Sequence, residues 1–372
     1  MNIFRRLPLN RLLLLWAVVI AAGVCVTAIA SALDSGPVPP AKPLAQAVHD
    51  ALSGTGGESV QGVSARIQLT NHLLEGANLV TNGGQGGEIA SNPLLAGASG
   101  RLWLSKDGHA RLELQTEQGD TEILYDGHTV SLYDAATNTL YRYTPPASEQ
   151  SSSATTQPHA VPSVAKIEEA ISHLQKHANV SGASPTDIAG HAAYTVRVSP
   201  NEAGSLLGGA ELSFDAANGM PLRAAIYSTD SSAPVIELAA TEVSYGPVPA
   251  SVFLITPPAN AKVEEVKPSN STDAPAHPHS DADKPKLTTH GHGISSIAVL
   301  ASSRYGESKT TSGAGKSAGS IEGLPQVNID GTNASELRTE LGTILTFERS
   351  GVRYLLAGSV APSAIEELAR GL

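Results

Sequence analysis

Four histidines, His277, His279, His290 and His292, fall within a sixteen-residue window of Pro, Asp, Ser and Lys. Imidazoles at that density raise the question of a metal, yet no cysteine joins them, and a solvated polar linker is the plainer account of the stretch. No metal site is assigned there. Cys25 is the only cysteine, which excludes an intramolecular disulfide; Val24 stands where a lipidated cysteine would want a small residue, so Cys25 is read as one more apolar side chain. Asn82-Gly83-Gly84-Gln85-Gly86-Gly87 lacks both the GxGxxG spacing and the strand-then-helix setting of a phosphate-binding loop. Ser, His and Asp are present, but without a GxSxG elbow, an HExxH pair or a Cys-His pair placed for nucleophilic chemistry. Asp126-Gly127-His128 and Lys106-Asp107-Gly108-His109 are turn sequences first. An enzyme is therefore not expected, nor a cofactor. A net charge of −11 with no basic cluster beyond the N-terminus also excludes a nucleic-acid partner.

With polar chemistry set aside, what remains is apolar surface. The stretch Gly100 to Thr144 alternates Leu, Ile, Tyr and Trp with polar residues and is punctuated by Asp107-Gly108, Gly119-Asp120, Asp126-Gly127 and Thr137-Asn138. Such short connections force successive strands to be antiparallel neighbours. Leu102/Leu104, Leu112/Leu114, Ile123/Tyr125 and Leu132 share one face, opposite Arg101, Arg111, Glu113 and Glu122. That face needs a cover. The stretch Ser163 to His177 predicts an amphipathic helix with Val164, Ile167, Ile171 and Leu174 in one stripe, which most simply lies across the apolar face. One such helix is too narrow for a sheet this broad, so part of the face forms a cavity or a partner surface. The expected lining is Leu102, Leu104, Leu112, Leu114, Ile123, Ile167, Ile171 and Leu174, with Trp103, of opposite parity, at the rim; ordinary core packing is the competing account of each.

The rest of the 372 residues arranges itself around this sheet. Arg5, Arg6 and Arg11 precede nineteen uncharged residues, Leu12 to Ala30, which read as an export signal or a retained membrane anchor within residues 1–33. Either way the body lies outside the cytoplasm. Residues 34–58 hold a Pro-rich spacer and a short helix, Leu44 to Leu52. Ser59 to Thr70 opens the sheet, and leucine-flanked glycines after it suggest a flap over an apolar surface or, equally, a disordered hairpin connection. Ala147 to His159 is a polar surface excursion. Further strands are expected at His191–Ser199, Ala210–Asp215, Pro221–Ser228 and Val235–Tyr245, with a helical turn at Asn201 to Leu207. Residues 259–290 read as a disordered linker. Residues 291–372 read as a small α+β unit: a strand from Ile294, a glycine/serine loop, a helix over Ala334 to Leu341, a hairpin around Arg349-Ser350-Gly351, and a closing helix with Pro362 at its first turn. A hydrophobic content of 41% can fill such cores, while only 4% is aromatic and 16% charged.

The order of these segments, including GRLWLS, ARLEL, GDTEILYDGHTVSLYD, NTLYRY, AAYTVRV, ELSFDAANGMPLRAAIY and SVFLITPP, resembles the LolA-like lipoprotein carriers and the related periplasmic RseB/MucB regulators. The likeness spans roughly Ser59 to Pro258 and looks closest to actinobacterial-type, membrane-anchored versions; SSIAVLASS and LGTILTFERSGVRYLLAGSVAPSAIEEL resemble the smaller RseB-type second domain. It implies an α+β fold: a half-open antiparallel barrel covering short helices, plus a small C-terminal α+β domain over 291–372. It implies an extracytoplasmic binder of lipid or lipoprotein acyl chains over 59–258 or, alternatively, a regulator of an anti-sigma factor or another envelope protein. The polar inserts at Gln150–Gln157 and Asn82–Gly87 depart from compact carriers.

Overall fold

A computed structural model describes residues 36–54, 60–75, 77, 97–116, 119–145, 161–266, 286–303 and 324–372. The export segment, Cys25, the glycine-rich loop, the polar excursion, His277 and His279 lie outside the described residues. Among the described residues no helix is long and apolar enough to cross a membrane.

The chain opens with helix α1 (Leu44–Ser53) and strand β1 (Gly62–Asn71). The expected meander follows as β2 (Ala98–Ser105), β3 (Ala110–Thr116), β4 (Gly119–Tyr125), β5 (Val130–Asp134) and β6 (Thr139–Tyr143). Gly108, Gly127 and Asn138 take the positive φ their tight turns require. Helix α2 (Val164–Leu174) is capped by Ser163, whose side chain accepts the Lys166 amide. Then come β7 (Ala178–Val180), β8 (Ser184–Ile188), β9 (His191–Pro200), β10 (Leu207–Asp215), β11 (Pro221–Ser228), β12 (Pro234–Tyr245) and β13 (Lys262–Glu265).

These strands make one sheet in the order β13-β6-β5-β4-β3-β2-β1-β12-β11-β10-β9-β7, with β8 also on β9. Every pairing is antiparallel except β13 with β6. The two ends of this order do not pair, so the sheet is open. It is also strongly curved. His191, at the start of β9, packs its ring 5.2 Å from that of Tyr245, at the end of β12, although two strands lie between them. A flat sheet would hold them about 14 Å apart.

The second sheet, β14-β15-β19-β18-β17-β16, comprises β14 (Lys286–His290), β15 (Ile297–Ser303), β16 (Gln326–Ile329), β17 (Thr332–Thr339), β18 (Gly342–Arg349) and β19 (Val352–Gly358). Helix α3 (Pro362–Arg370) closes its core by packing Ile365 and Ala369 against Val299, Leu345, Phe347 and Leu356. The lobes meet where Leu206 donates its amide to the Ser359 carbonyl and Ser205 bridges to Val360.

Four expectations need correction. Residues 334–341 are not a helix: Ala334 to Thr339 belong to β17, paired on both sides, and Glu336 is buried against Arg338 Nε at 2.5 Å. Asn201 to Leu207 forms no helical turn, because Ser205 and Leu206 are taken up by contacts to the second lobe. The stretch 259–290 contains β13 and β14 and is not linker throughout. Finally, α2 does not lie across the meander. It packs on α1 and β7, at the other end of the sheet.

Candidate functional site

Strand register fixes which side chains share the inner face. Val243 lies opposite Ala65, Ala65 opposite Leu102, Leu102 opposite Leu112, Leu112 opposite Ile123, Ile123 opposite Leu132, and Leu132 opposite Tyr141. The result is one uninterrupted apolar row across seven consecutive strands, about 29 Å wide at the usual strand spacing. Every member is half-buried, none fully enclosed. Leu104, Ala110, Tyr125 and Val130 form the parallel row beside it. Leu69 faces Leu238, which is 43% exposed, on the continuation towards β11.

Of the predicted lining, Leu102, Leu112 and Leu114 come together with Ile67, Ala65 and Ala98. Leu114 is 2% exposed and is core, because Gly100 opposite it has no side chain to keep it away. Leu104 and Ile123 lie on the same face, as expected. The helix residues do not join them. Leu174 packs in a second cluster with Ala47, Tyr194, Val196, Val198 and Phe214, under α1 and α2. Ile167 is buried and Ile171 half-buried on the same helix. The helices thus pack mainly on each other, on β7 and on the β9–β10 end of the inner face, while the row from Val243 to Tyr141 stays half-buried.

Trp103 points to the opposite face, as its parity requires. There the Arg111 guanidinium lies 5.8 Å from its ring centroid. A concavity of about 210 Å³ beside it is lined by Ser64, Arg66, Arg101, Trp103, Glu242 and Ser244, among others. Arg66 is tied to Glu242 at 2.6 Å. This outer face holds what the alternation did not reveal. After β12 a 3₁₀ turn at Ala250–Phe253 packs on β3, and the chain then pairs as β13 beside β6, so residues between them cross β4 and β5. Arg111 fastens this strap by donating to the Val252 carbonyl at 2.6 Å, while Phe253 packs on the His109 ring. Leu124, Ser131 and Leu140 are buried on the strapped face. Arg111 also pairs with Glu113 at 2.7 Å and Glu122 at 3.2 Å. Burial pushes the Glu122 carboxyl up, and the shared Arg111 only partly offsets this.

Further along the outer face, Glu211 pairs with Arg223 at 2.7 Å and Arg197 at 3.1 Å and accepts from the Tyr227 hydroxyl at 2.7 Å. Burial raises its pKa, but the bonds from Arg223 and Tyr227 outweigh that and hold it below the usual carboxylate range. These charges pair with one another, leaving only the buried Arg197 Nε of the cluster without a hydrogen-bond partner among the described residues. The turn sequences are also structural: Asp126 Oδ1 accepts the His128 and Thr129 amides at 2.9 and 2.7 Å, and Ser105 Oγ accepts the His109 amide. Among the described residues no group of three or more His, Cys, Asp and Glu is placed to hold a metal ion.

No family model matches the chain, and no curated protein matches it. Among solved structures, MucB in complex with the periplasmic part of MucA aligns at TM-score 0.42 and 13% identity over 88% of this chain and 97% of that one. The MucA/MucB complex of Pseudomonas aeruginosa gives 0.40 and 12%, over 88% and 96%. A LolA-superfamily protein from Nitrosomonas europaea gives 0.21 and 10%, over 58% and 99%.

Proposed function

We propose that this protein is an extracytoplasmic, non-catalytic binding protein that holds the acyl chain of a lipid or lipoprotein against the inner face of its open sheet. The observation that carries this reading is the half-buried row Val243, Ala65, Leu102, Leu112, Ile123, Leu132 and Tyr141. A surface of this kind gains roughly 0.8 kcal/mol for each methylene it removes from water, so ten buried methylenes offer roughly 8 kcal/mol before ordering costs. No polar contact is needed for that. The nineteen-residue apolar segment behind Arg5, Arg6 and Arg11 supports the location, and as a retained anchor it would keep the sheet beside a bilayer.

The test is uptake of a fluorescent fatty acid by delipidated protein, with Leu112→Asp and Ile123→Asp as variants. Saturable uptake that both substitutions abolish is expected; no uptake by well-folded wild type would overturn the reading.

A second reading rests on the second lobe, which a simple shuttle does not need. The two lobes, joined at Leu206 and Ser359, would form a regulator that engages an anti-sigma factor or another envelope protein, with the lipid as signal. Stoichiometric binding of such a partner by lipid-free protein, without fatty-acid uptake, would favour it over the carrier.

A further inference from the structure

His173 and His177 stand apart from everything assigned above. Both are exposed, His173 in the last turn of α2 and His177 four residues on in the turn that follows it, and their rings lie 6.0 Å apart at centroids with a 57° tilt. We propose that the pair is a two-imidazole binding site for a divalent transition-metal ion, with copper(II) the best fit.

The backbone that carries them is fixed. Gln175 donates to the Ile171 carbonyl at 2.8 Å, Lys176 to His173 at 3.3 Å and His177 to Leu174 at 3.0 Å, so the turn between the histidines is closed. The residue after each histidine, Leu174 and Ala178, is seated in the apolar cluster under α1. Both ligands are thus held from below while their rings stay in water. Two imidazoles bound side by side to one ion, with metal–nitrogen distances of about 2.0–2.1 Å, place their centroids roughly 4.5–5.5 Å apart. A small rotation of two exposed side chains closes the difference. The carbonyl end of the helix also favours a cation. No third His, Cys, Asp or Glu completes the set among the described residues, so water fills the remaining positions. Imidazole ligation with open positions ranks copper(II) above nickel and zinc.

The experiment is a copper(II) titration of the full chain by calorimetry and electron paramagnetic resonance, comparing wild type with His173→Ala, His177→Ala, the conservative His177→Gln, and a His290→Ala/His292→Ala control. The second imidazole binds as an intramolecular partner, so each of the first three substitutions should weaken uptake on the order of a hundredfold and remove the signature of two coordinated nitrogens. The control should keep both. Far-UV circular dichroism checks that each variant is folded. Unchanged affinity and spectrum in His173→Ala and His177→Ala, or loss confined to the control, would overturn the proposal.

Discussion

The Tyr245 hydroxyl donates to Asp215 Oδ2 at 2.7 Å, tying the end of β12 to the turn between β10 and β11. Asp215 is 3% exposed, and its other oxygen accepts the Ala217 amide at 2.7 Å. Tyr245→Phe removes one donor from a buried carboxylate, and a loss of about 1.5–3 kcal/mol in urea unfolding is expected. Burial first, and the bond to Asp215 second, push the Tyr245 phenol above its ordinary range. The folded state therefore favours the protonated phenol. Its contribution is fully present below the unfolded value near 10 and is lost as pH rises above it. Tyr245→Phe should flatten that alkaline decline.

Two glutamates on the outer face should respond oppositely to neutralisation. Glu211→Gln removes the negative charge and one of the two acceptor oxygens that Arg197 and Arg223 share and should lose about 3 kcal/mol at pH 7. Because the Glu211 pKa is lowered, its contribution is present above the unfolded value near 4.3 and fades as pH falls through the folded one. The gap to wild type should narrow accordingly. The Glu122 pKa is raised, so folding disfavours its ionised form, and Glu122→Gln should equal or exceed wild type at pH 7. Paired urea curves at pH 7 and pH 4 decide both.

Arg111→Ala should release the strap. The Val252 carbonyl loses its donor and Trp103 its stacked guanidinium. The readouts are faster proteolytic cleavage between residues 246 and 261 and a shift in tryptophan emission. Cleavage at the wild-type rate would mean that the Phe253 contact alone holds the segment.

Core and open face should separate under truncation. Leu114→Ala, at a site 2% exposed, should lose about 2–5 kcal/mol, and Leu174→Ala should also destabilise the fold because it packs under α1. Leu112→Ala, on the half-buried row, should lose less stability and proportionately more acyl-chain uptake. Equal stability losses at Leu112 and Leu114 would place the row inside the core.

The meander was legible because turn residues and period-two alternation agree at each strand, and α2 because its stripe and Ser163 cap coincide. What alternation cannot tell is the cover of the other face. Leu124 and Leu140 sit among charged neighbours and look like outward residues until the strap, more than a hundred positions later, returns over them. The position of α2 was equally hidden, since a helix inserted after the meander can serve any part of the sheet and here reaches β7 and α1. Residues 334–341 carry the helix formers Ala, Glu, Leu and Arg at helical spacing, but pairing on both sides of β17 overrides that propensity.

The parallel pairing of β13 with β6 decides where the polypeptide leaves the first sheet: at one margin, the farthest in strand order from β9 and β10. The second lobe begins beyond that margin, yet it grips Ser205 and Leu206 near the opposite one. It bonds to the first lobe a second time where Glu340 donates its amide to the Leu73 carbonyl at 3.2 Å, just after β1, so the second lobe is held at two separate places along the first sheet.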